Sequence, residues 1–359
     1  MNKNIINFGL VGCGKIAKRH ANLLSKGEVA GANLGAVCDK DCERADKFAS
    51  EYGVKAYYDA SEMAASEDID ALAILTPSGL HADNVLDLAR FGKPMLVEKP
   101  MALKLSDADA VIESCDRYGA RLFVVKQNRF NAPIVQLRKA LDEGRFGKLV
   151  MGTVRLRWCR PQAYYDEAPW RGTWQHDGGV LTNQASHHID LLVWMMGEVE
   201  SVFAKTTRSL ANIEAEDTAV VTLKFRNGAL GIIEATTATR PKDLEGSLSI
   251  LGEKGSVIVG GFAANHLDTW QFEEPLPEDD TVFEKHGINP KHPYGYAHKL
   301  YYEHVVDCII NQKRQLVDGL GGRKSLELIS AIYESVETGK EIKLRFSPSF
   351  CRLGRETLE

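Results

Sequence analysis

A lysine between an acid and a proline is the first feature of the sequence that could do chemistry. Lys99 stands in Glu98-Lys99-Pro100, directly after the strand-like run Met95–Glu98. A fixed ammonium group at such a place can stabilise the charge that develops on an alkoxide or a carbonyl oxygen. A lone lysine is more often a solvated surface charge, and this alternative stays open until the surrounding elements are considered.

A histidine near the start of a predicted helix is the second such feature. Asn183, His187 and Asp190 stand at i, i+4 and i+7, so we predict that they share one face of that helix. An imidazole, with an ordinary pKa of about 6.5, suits the removal of an alcohol proton near neutral pH. His187 could also be a core histidine, and Asp190 could hold the helix or a neighbouring side chain.

A metal site built from His187, His188 and Asp190 is a further alternative. Adjacent residues on a helix point in well-separated directions, which disfavours an ion shared by the two histidines. We therefore predict no metal site.

A glycine-rich turn stands between the first predicted strand and the first predicted helix. It reads Gly12-Cys13-Gly14-Lys15-Ile16-Ala17, the GxGxxA form in which alanine replaces the third glycine. Gly12 allows a tight turn, Gly14 lets the backbone approach a pyrophosphate, and the helix N-terminus supplies N–H donors. Many glycine turns are only turns, so a dinucleotide site needs further support from the next strand.

An acid at the end of the second predicted strand provides that support. Asp39 is placed to accept hydrogen bonds from both ribose hydroxyls and to repel a 2′-phosphate, which favours NAD over NADP. Asp39 could also be a strand-end turn residue, and Lys40 beside it leaves residual NADP use open. We predict NAD as the cofactor.

Strand-like and helical segments alternate over residues 1–126, which predicts an α/β Rossmann domain with a doubly wound parallel sheet. Ligands of such sheets sit at the carboxyl ends of the strands. Lys99 falls at the same edge as the glycine turn, and this favours a functional lysine over a surface charge. The residues predicted to contact the cofactor are Gly12, Gly14, Lys15, Ile16, Asp39, Thr76, Pro77, His81, Glu98, Lys99 and Asn128.

A different pattern occupies residues 127–359. Longer alternating strands predict an α+β domain with a large, open-faced, mostly antiparallel sheet for substrate binding and oligomerisation. Asn227-Gly228 indicates a hairpin, Glu273–Tyr294 a surface loop, and Tyr296–Asn311 and Arg323–Thr338 two helices. Because exposed apolar faces tend to be covered, we expect a homo-oligomer.

Composition limits the class of protein. The 359 residues are 44% hydrophobic and 26% charged, with a net charge of −5 and no basic run, which disfavours nucleic-acid partners. No apolar run approaches the roughly 18 residues that span a bilayer, so we expect no membrane partner. We see no signal peptide, and the seven scattered cysteines form no disulfide framework, so we expect a cytoplasmic protein.

Several segments together resemble the glucose–fructose oxidoreductase, inositol dehydrogenase and MocA family. They are GLVGCGKIAKRH, LTPSGLHADN, VEKP and the His187-x-x-Asp190 helix. The resemblance implies an NAD-binding domain followed by an open-faced α+β domain, with Lys99 and His187 at the reacting carbon. It also implies a cis peptide at Lys99-Pro100, and an assembly of two or four chains.

One position departs from the family pattern. Many polyol-oxidising members carry aspartate four residues before the histidine, where this chain has Asn183, which cannot act as a carboxylate partner. Other segments are similar to those of bacterial dehydrogenases that oxidise the 3-hydroxyl of UDP-N-acetylglucosaminuronate. These segments span residues 126–130, 169–174 and 292–298, together with Asn183 and His187.

The subgroup resemblance implies catalytic and substrate-binding positions. The catalytic set is Lys99, His187 and Asn183, and the substrate-binding set is Lys99, Arg129, Arg171, Asn183, His187, Tyr294 and His298. Arg129 and Arg171 could offer bidentate donors to a pyrophosphate or a uronate. Each could equally be a structural salt-bridge partner, and Trp170 and Trp174 are expected to pack rather than to stack on a ligand.

The resemblance therefore implies an NAD-dependent dehydrogenase that oxidises the 3-hydroxyl of a UDP-linked N-acetylated sugar acid for surface polysaccharide biosynthesis. A member of the recycling type would keep NADH bound and reduce a 2-oxo acid such as 2-oxoglutarate. A dehydrogenase or ketoreductase of another sugar or cyclitol is the first alternative. A non-catalytic sugar or NAD sensor is the second, and the presence of both Lys99 and His187 argues against it.

Overall fold

The structure, a computed structural model, describes residues 5–288, 296–344, 348 and 350–355. These residues divide into two compact units. The first contains the chain up to Lys126 and the later segment His298–Arg323, and the second contains Gln127–Ala297 and the chain from Lys324 onward. The return of His298–Arg323 to the first unit is a feature that the sequence did not indicate.

Six parallel strands form the sheet of the first unit. They are β1 (Ile6–Val11), β2 (Ala32–Cys38), β3 (Lys55–Tyr57), β4 (Ala71–Ile74), β5 (Met95–Val97) and β6 (Leu122–Val124). Their order is β3-β2-β1-β4-β5-β6, the doubly wound order of a Rossmann domain. The helices are α1 (Lys15–Ser25), α2 (Cys42–Tyr52), α3 (Ala60–Ala65), α4 (His81–Ala89), α5 (Leu105–Tyr118) and, in the later segment, α10 (Ala297–Ile310). The predicted fold class of this part is confirmed.

Burial explains the apolar strands of this unit, and a side-chain cap and a glycine explain the two ends of helix α2. Strands β4, β5 and β6 are apolar throughout because helices cover both faces of a doubly wound sheet, and Leu10 and Ile74 are fully buried. Helix α2 begins after Asp41, whose carboxylate accepts a hydrogen bond from the main-chain N–H of Arg44 at 3.1 Å. It ends at Gly53, which adopts the left-handed conformation that glycine allows without strain.

Eight strands form the sheet of the second unit. They are β7 (Leu149–Arg157), β8 (Val199–Thr207), β9 (Thr218–Phe225), β10 (Leu230–Thr236), β11 (Glu245–Gly252), β12 (Gly255–Gly260), β13 (His266–Phe272) and β14 (Ile342–Lys343). Their order is β13-β12-β11-β7-β10-β9-β8-β14, and β7 and β10 pair in parallel while the other described pairs are antiparallel. The helices are α6 (Ala132–Asp142), α7 (Gln162–Asp166), α8 (Ser186–Met196), α9 (Asp279–His286) and the larger part of α11 (Gly319–Thr338), whose residues up to Arg323 belong to the first unit. The predicted mostly antiparallel sheet is confirmed.

One face of this sheet is open in the chain, as predicted. Along β9 the side chains alternate, with Val221 and Leu223 buried and Val220 and Thr222 exposed. The turn that joins β9 to β10 contains Gly228 at φ +88°, so the predicted hairpin is also present. The period of two therefore separates a packed face from a solvent-facing one.

The predicted surface loop over Glu273–Tyr294 is wrong where α9 lies. Asp279 and Asp280 stand in the first turn of α9, and Lys285 stands in the last, an arrangement that complements the helix dipole. The loop prediction rested on the richness of this segment in Pro, Asp and Glu, a composition that is typical of loops. Residues 289–295 of the predicted loop lie outside the described residues.

Helix α11 begins four residues earlier than the predicted start at Arg323 because its glycines are packing residues. A Cβ at Gly319 would lie 2.6 Å from Ile112 of α5, and one at Gly322 would lie 2.6 Å from Val124 of β6. The glycine run lets the first turn of the helix approach both elements closely. No helix in the described ranges is both long and apolar enough to cross a membrane.

A buried carboxyl group lies in the core of the second unit. Oε1 of Glu216 accepts hydrogen bonds from the N–H of Leu181 and from the hydroxyl of Tyr333, both at 3.0 Å. A Cβ at Gly179 would lie 2.2 Å from the main-chain oxygen of Glu216, so this turn requires glycine. Burial raises the pKa of Glu216 to about 7 despite these hydrogen bonds. The acid thus packs under the turn that leads into α8.

The raised pKa of Glu216 predicts a pH dependence of stability. The unfolded chain releases this proton near its ordinary pKa of 4.5, whereas the folded protein holds it up to about 7. The free energy of unfolding should therefore fall by about 3 kcal/mol as the pH rises through that window, and this contribution should be flat above it. Urea unfolding of the wild type and of Glu216→Gln from pH 4.5 to 8 measures the difference. Parallel pH curves for the two proteins would contradict the prediction.

Candidate active site

The glycine turn has the geometry that a pyrophosphate needs. Gly12 stands at φ +100°, and a Cβ there would lie 3.0 Å from the main chain of Leu75, so only glycine fits the turn. Gly14 caps α1, and no other described atom lies within 4 Å of the place where its Cβ would be. No described side chain caps this helix, whose first turn is formed by Lys15 and Ile16. The open space over a helix N-terminus fits the predicted dinucleotide.

Asp39 connects the glycine turn to the next helix. Its Oδ2 accepts from the N–H of Cys13 at 2.9 Å, and its Oδ1 accepts from the N–H of Asp41 at 3.0 Å. Arg44, which the sequence did not single out, lies 3.4 Å from the same carboxylate. Arg44 donates to both oxygens only at 3.4 and 3.5 Å, so the two main-chain N–H groups are the firm partners of this carboxylate. The structure shows that Asp39 links the glycine turn to the start of α2, and its contact with the ribose stays a prediction.

The loops after β4 and β5 are joined by a histidine. His81 is 2% exposed, with Nε2 2.8 Å from the carbonyl oxygen of Thr76 and Nδ1 2.7 Å from that of Pro100. His81 was predicted to contact the cofactor, and that contact stays a prediction. Both ring nitrogens face main-chain carbonyl oxygens, and a neutral ring can donate to one of them. Pro77 follows Thr76 and begins the short turn into α4. The Lys99-Pro100 peptide is cis, as the resemblance implied.

Lys99 itself follows β5 and is half-buried. Its main-chain N–H donates to Oε2 of Glu98 at 3.0 Å. The other oxygen of Glu98 lies 3.1 Å from Nε2 of His20, so the carboxylate faces the core and not a ligand surface. His298, predicted to bind substrate, is also in this core, with Nδ1 accepting from Nε of Arg19 at 3.0 Å.

In the second unit, His187 stands in the first turn of α8. Its Nε2 lies 3.1 Å from Nε2 of Gln127, a neighbour that the sequence placed in a motif but gave no role. Helix α8 begins at Ser186, so Asn183 lies in the turn before it and does not share a helix face with His187. That part of the prediction is wrong because the hydrogen-bond ladder of the helix starts after Asn183.

His188 and His187 lie in different surroundings. His188 is 1% exposed and contacts the ring of Trp158 edge-on, with 6.1 Å between the ring centroids. Burial lowers the pKa of His188 to about 4. It is therefore a neutral core histidine at physiological pH, while His187 is half-buried.

A buried carboxylate that the sequence did not indicate stands behind Asn183. Nδ2 of Asn183 donates to Oδ1 of Asp177 at 2.5 Å, and Oδ2 of Asp177 accepts from the N–H of Gly172 at 2.8 Å. Because an ionised carboxylate only accepts, this contact fixes which end of the Asn183 carboxamide faces Asp177. The available signal was the position of Asp177 directly before the Gly178-Gly179 turn.

The two predicted substrate arginines differ in their surroundings. Arg129 makes a bidentate pair with Asp190, with both N–O distances 2.8 Å, and its guanidinium lies 4.8 Å from the ring of Trp194. This is the structural alternative that the sequence left open, and Asp190 is its partner. Asn128, predicted to contact the cofactor, is buried beside it in the turn Gln127–Phe130 and donates to the carbonyl of Ala263 at 3.4 Å.

Arg171 instead lies in an aromatic cluster with an unused donor. Its guanidinium lies 4.1 Å from the ring centroid of Tyr164, and its nearest described carboxylate, Glu167, is 3.5 Å away. Its side chain is 10% exposed, and within the described ranges no acceptor reaches its buried Nε. Arg160, which the sequence missed, lies 5.5 Å from the same tyrosine ring. Tyr294 lies outside the described residues.

Two tryptophans in this segment pack, as expected. The Arg171 guanidinium lies 5.3 Å from the ring of Trp170, and Trp174 contacts Tyr333 edge-on at 5.2 Å. Each ring therefore contacts at least one protein group.

Two solved structures share this fold along nearly the whole chain. The WlbA dehydrogenase of Bordetella pertussis, solved with NADH and UDP-GlcNAcA, is 44% identical with a TM-score of 0.91 and covers 96% of this chain and 99% of its own. The WlbA dehydrogenase of Chromobacterium violaceum, solved with the same ligands, is 42% identical with a TM-score of 0.89 and covers 96% and 97%. A curated relative, scyllo-inositol 2-dehydrogenase (NAD⁺) of Bacillus subtilis, is 26% identical over 94% of this chain and 96% of its own length.

Family models cover both parts of the chain. Residues 6–126 match the oxidoreductase family model for the NAD-binding Rossmann fold, and residues 138–344 match the model for the C-terminal α/β domain of the same family. The first match agrees with the glycine turn, the acid at Asp39 and the strand order of the first unit. The chain therefore belongs to the glucose–fructose oxidoreductase, inositol dehydrogenase and MocA family, and it is an NAD-dependent oxidoreductase.

Proposed function

We propose that the protein oxidises the 3-hydroxyl of a UDP-linked N-acetylated sugar acid, UDP-N-acetylglucosaminuronate, to the 3-keto sugar for surface polysaccharide biosynthesis. The observation that carries this proposal is the buried, incompletely paired guanidinium of Arg171. The two solved relatives at 44% and 42% identity, each in complex with NADH and UDP-GlcNAcA, support the same substrate class.

The surroundings of Arg171 favour an anionic ligand. Arginine stays charged at every accessible pH, and a buried donor without a partner costs about 1–3 kcal/mol. Glu167, half exposed and 3.5 Å away, compensates this charge only in part. A uronate or a pyrophosphate would supply the missing acceptor in the bidentate geometry that a guanidinium prefers. A neutral cyclitol offers hydroxyls but no charge.

The segment that carries Arg171 is connected to Asn183 through the carboxylate of Asp177. Gly172, next to Arg171, donates to one oxygen of Asp177, and Asn183 donates to the other. The hydroxyl of Tyr164, under the Arg171 guanidinium, lies 3.5 Å from Nε2 of Gln184. Binding of an anion at Arg171 would therefore place the rest of a sugar beside the turn that leads to His187.

The chemistry that NAD supplies is acceptance of a hydride from the carbon that bears the hydroxyl. In the proposed reaction the basic ring nitrogen of His187 takes the hydroxyl proton, and the hydroxyl replaces the amide of Gln127 that lies 3.1 Å from Nε2 of His187. Lys99 stabilises the negative charge that develops on the same oxygen. Asn183 contributes a neutral hydrogen-bonding group where a polyol dehydrogenase has a carboxylate.

Oxidation of a neutral cyclitol is the second candidate, because scyllo-inositol 2-dehydrogenase is 26% identical over nearly the whole chain. A buried arginine with an unused donor does not suit such a substrate. A non-catalytic sensor would need neither Lys99 nor His187, and both are present.

We also propose that the open sheet face of the second unit mediates homo-oligomerisation. Strand pairing puts Phe203, Val220, Leu230 and Leu251 on this face, and each is at least 36% exposed. Exposed apolar side chains on one sheet face, here interspersed with charged residues such as Lys224 and Glu234, are often covered in the functional assembly.

Native mass spectrometry tests the assembly. A dimer or a tetramer is expected, and Val220→Glu combined with Leu230→Glu should shift it toward the monomer because charges would be buried in the interface. A wild-type protein that is monomeric at micromolar concentration would rule out this surface.

Turnover assays test the substrate. Purified protein with NAD and UDP-N-acetylglucosaminuronate, with and without 2-oxoglutarate, should form a sugar that lacks two hydrogen atoms, detected by mass spectrometry. UDP-N-acetylglucosamine, which differs by lacking the carboxylate, is the matched control and should react poorly. Turnover of myo-inositol without turnover of the uronate would overturn the assignment.

The two buried arginines form a matched pair of variants. Arg171→Met should raise the KM for the uronate about 10- to 100-fold and leave stability intact, because it removes a ligand contact and an incompletely paired buried charge. Arg129→Met should instead destabilise the protein by about 3–5 kcal/mol, because it leaves Asp190 buried without its partner.

Steady-state kinetics and thermal unfolding of both variants measure the contrast. An unchanged KM in Arg171→Met would remove Arg171 from the substrate site. Equal losses of stability in the two variants would show that Arg171 is a structural residue like Arg129.

A further inference from the structure

Five side chains meet in the core of the first unit beside Lys99. We name them the Glu98 cluster: Arg19 and His20 from α1, Glu98 after β5, and His298 and Tyr302 from α10. His20, Glu98, His298 and Tyr302 are each at most 6% exposed. One nitrogen of each histidine and a carboxylate oxygen of Glu98 all lie within 4.8 Å of one another, a spacing that a metal ion could use.

The direction of the hydrogen bonds argues against a metal here. Nε of Arg19 can only donate, so Nδ1 of His298, 3.0 Å away, must accept. The ring proton of His298 therefore sits on Nε2, the nitrogen that faces Oε1 of Glu98 at 4.0 Å. A protonated nitrogen has no lone pair to offer a metal ion.

The same reasoning assigns the remaining protons. Burial raises the pKa of Tyr302 well above its ordinary value, so its hydroxyl keeps its proton and donates to Nδ1 of His20 at 2.7 Å. Nε2 of His20 then carries the ring proton and donates to Glu98 at 3.1 Å. Although burial alone would raise the pKa of Glu98, the hydrogen bond from His20 and the charge of Lys99 hold that pKa well below the ordinary value. The hydrogen bonds from Tyr302 to His20 and from His20 to Glu98 therefore lead to one ionised carboxylate.

We propose that Glu98 is a positioning residue for Lys99, fixing its main chain and keeping a negative charge beside its ammonium group, with Tyr302 and His20 holding the carboxylate in place. Oε2 of Glu98 accepts from the Lys99 N–H at 3.0 Å, while His81 holds the carbonyl of Pro100 at 2.7 Å. The main chain is thus held on both sides of the Lys99 side chain. The inference rests on the proposed role of Lys99 in the reaction.

The charge of Glu98 has a consequence for the pH dependence of the reaction. Coulomb attraction is mutual, so the carboxylate that is stabilised by Lys99 also favours the charged form of the Lys99 ammonium. Its loss should let the ammonium release its proton at lower pH. The titratable groups that face Glu98 are His20 and Arg19 of α1, His81 of α4, Lys99, and His298, Tyr301 and Tyr302 of α10.

Two substitutions at Glu98 separate the effect of its charge from the effect of the position of its carboxylate. Glu98→Gln keeps the shape and an acceptor oxygen but removes the charge, so kcat should fall about 10- to 100-fold and the alkaline limb of its pH profile should move down by about one unit. Glu98→Asp keeps the charge but draws it away from the Lys99 N–H, so kcat should fall without that shift. The KM for UDP-N-acetylglucosaminuronate should stay within about threefold in both, because neither touches the proposed anion site.

Tyr302→Phe provides the variant that is expected to fold. It keeps the ring contact with Phe8, with 5.2 Å between the ring centroids, and removes only the donor to His20. A loss of kcat of about fivefold with unchanged NADH affinity is expected, because His20 would be held less firmly against Glu98. Wild-type kcat and pH profile in Tyr302→Phe and in each folded Glu98 variant would overturn the inference.

Lys99→Met separates this inference from the function on which it rests. If Lys99→Met keeps full activity, the proposed role of Lys99 fails and the positioning role fails with it. If Lys99→Met is inactive while the Glu98 variants match the wild type, only the positioning role fails. The assays use whichever candidate sugar the wild type oxidises.

Discussion

Removing an ionised side chain from water costs several kcal/mol unless the protein supplies partners, and the arrangement of both units depends on this constraint. Glu98 accepts hydrogen bonds from His20 and from the Lys99 N–H, and Arg129 is paired with Asp190. Glu216 meets the same constraint by holding its proton up to a pH of about 7. Arg171 remains incompletely matched by the chain itself. Glu98 and Arg129 have their partners within the chain, whereas Arg171 is where we propose that a ligand supplies the missing acceptor.

The loops at the carboxyl ends of the parallel strands bring polar main-chain groups and polar side chains together. Gly12, Asp39, Thr76 and Lys99 all follow strands of the first unit, and loops in such positions would be mobile if nothing linked them. His81 links two of these loops through carbonyl oxygens, and Asp39 links the glycine turn to α2. Hydride transfer tolerates little displacement between reacting atoms, so these links matter for the rate as well as for folding.

Features set by local chemistry could be predicted from the sequence. The glycine turn needs a left-handed residue at Gly12, and Asp39 stands where a strand must end, so both can be inferred from a few neighbouring residues. Asn183 and α9 show the limit: acidic or polar residues near a helix start also fit a loop, and no pattern of apolar spacing decides between them. The start of α11 was missed because Gly319 packs against a residue far away in sequence.

Partners that are distant in sequence could not be predicted. Arg129 meets Asp190 across 61 positions, and His20 meets Glu98 across 78, with no local signal for either contact. The choice between a substrate arginine and a structural one depends on such contacts. The sequence therefore left Arg129 and Arg171 equivalent, and the structure distinguishes them by the acceptors around each guanidinium.

A ribosome releases the chain from its N-terminus, so the late position of His298–Arg323 affects when the first unit can fold. Tyr302 packs against Phe8 of β1 and bonds to His20, and the N–H of Val124 in β6 faces the carbonyl of Val317 at 3.4 Å. The dinucleotide-binding unit therefore cannot complete its core until the polypeptide has been translated beyond these residues, long after its sheet has emerged. A nascent chain that ends at residue 126 exposes the apolar surface that α10 later covers. Aggregation is therefore favoured during the time between the synthesis of residue 126 and the synthesis of α10. Residues 1–126 are, for the same reason, not a portable cassette for transplanting NAD binding into another protein.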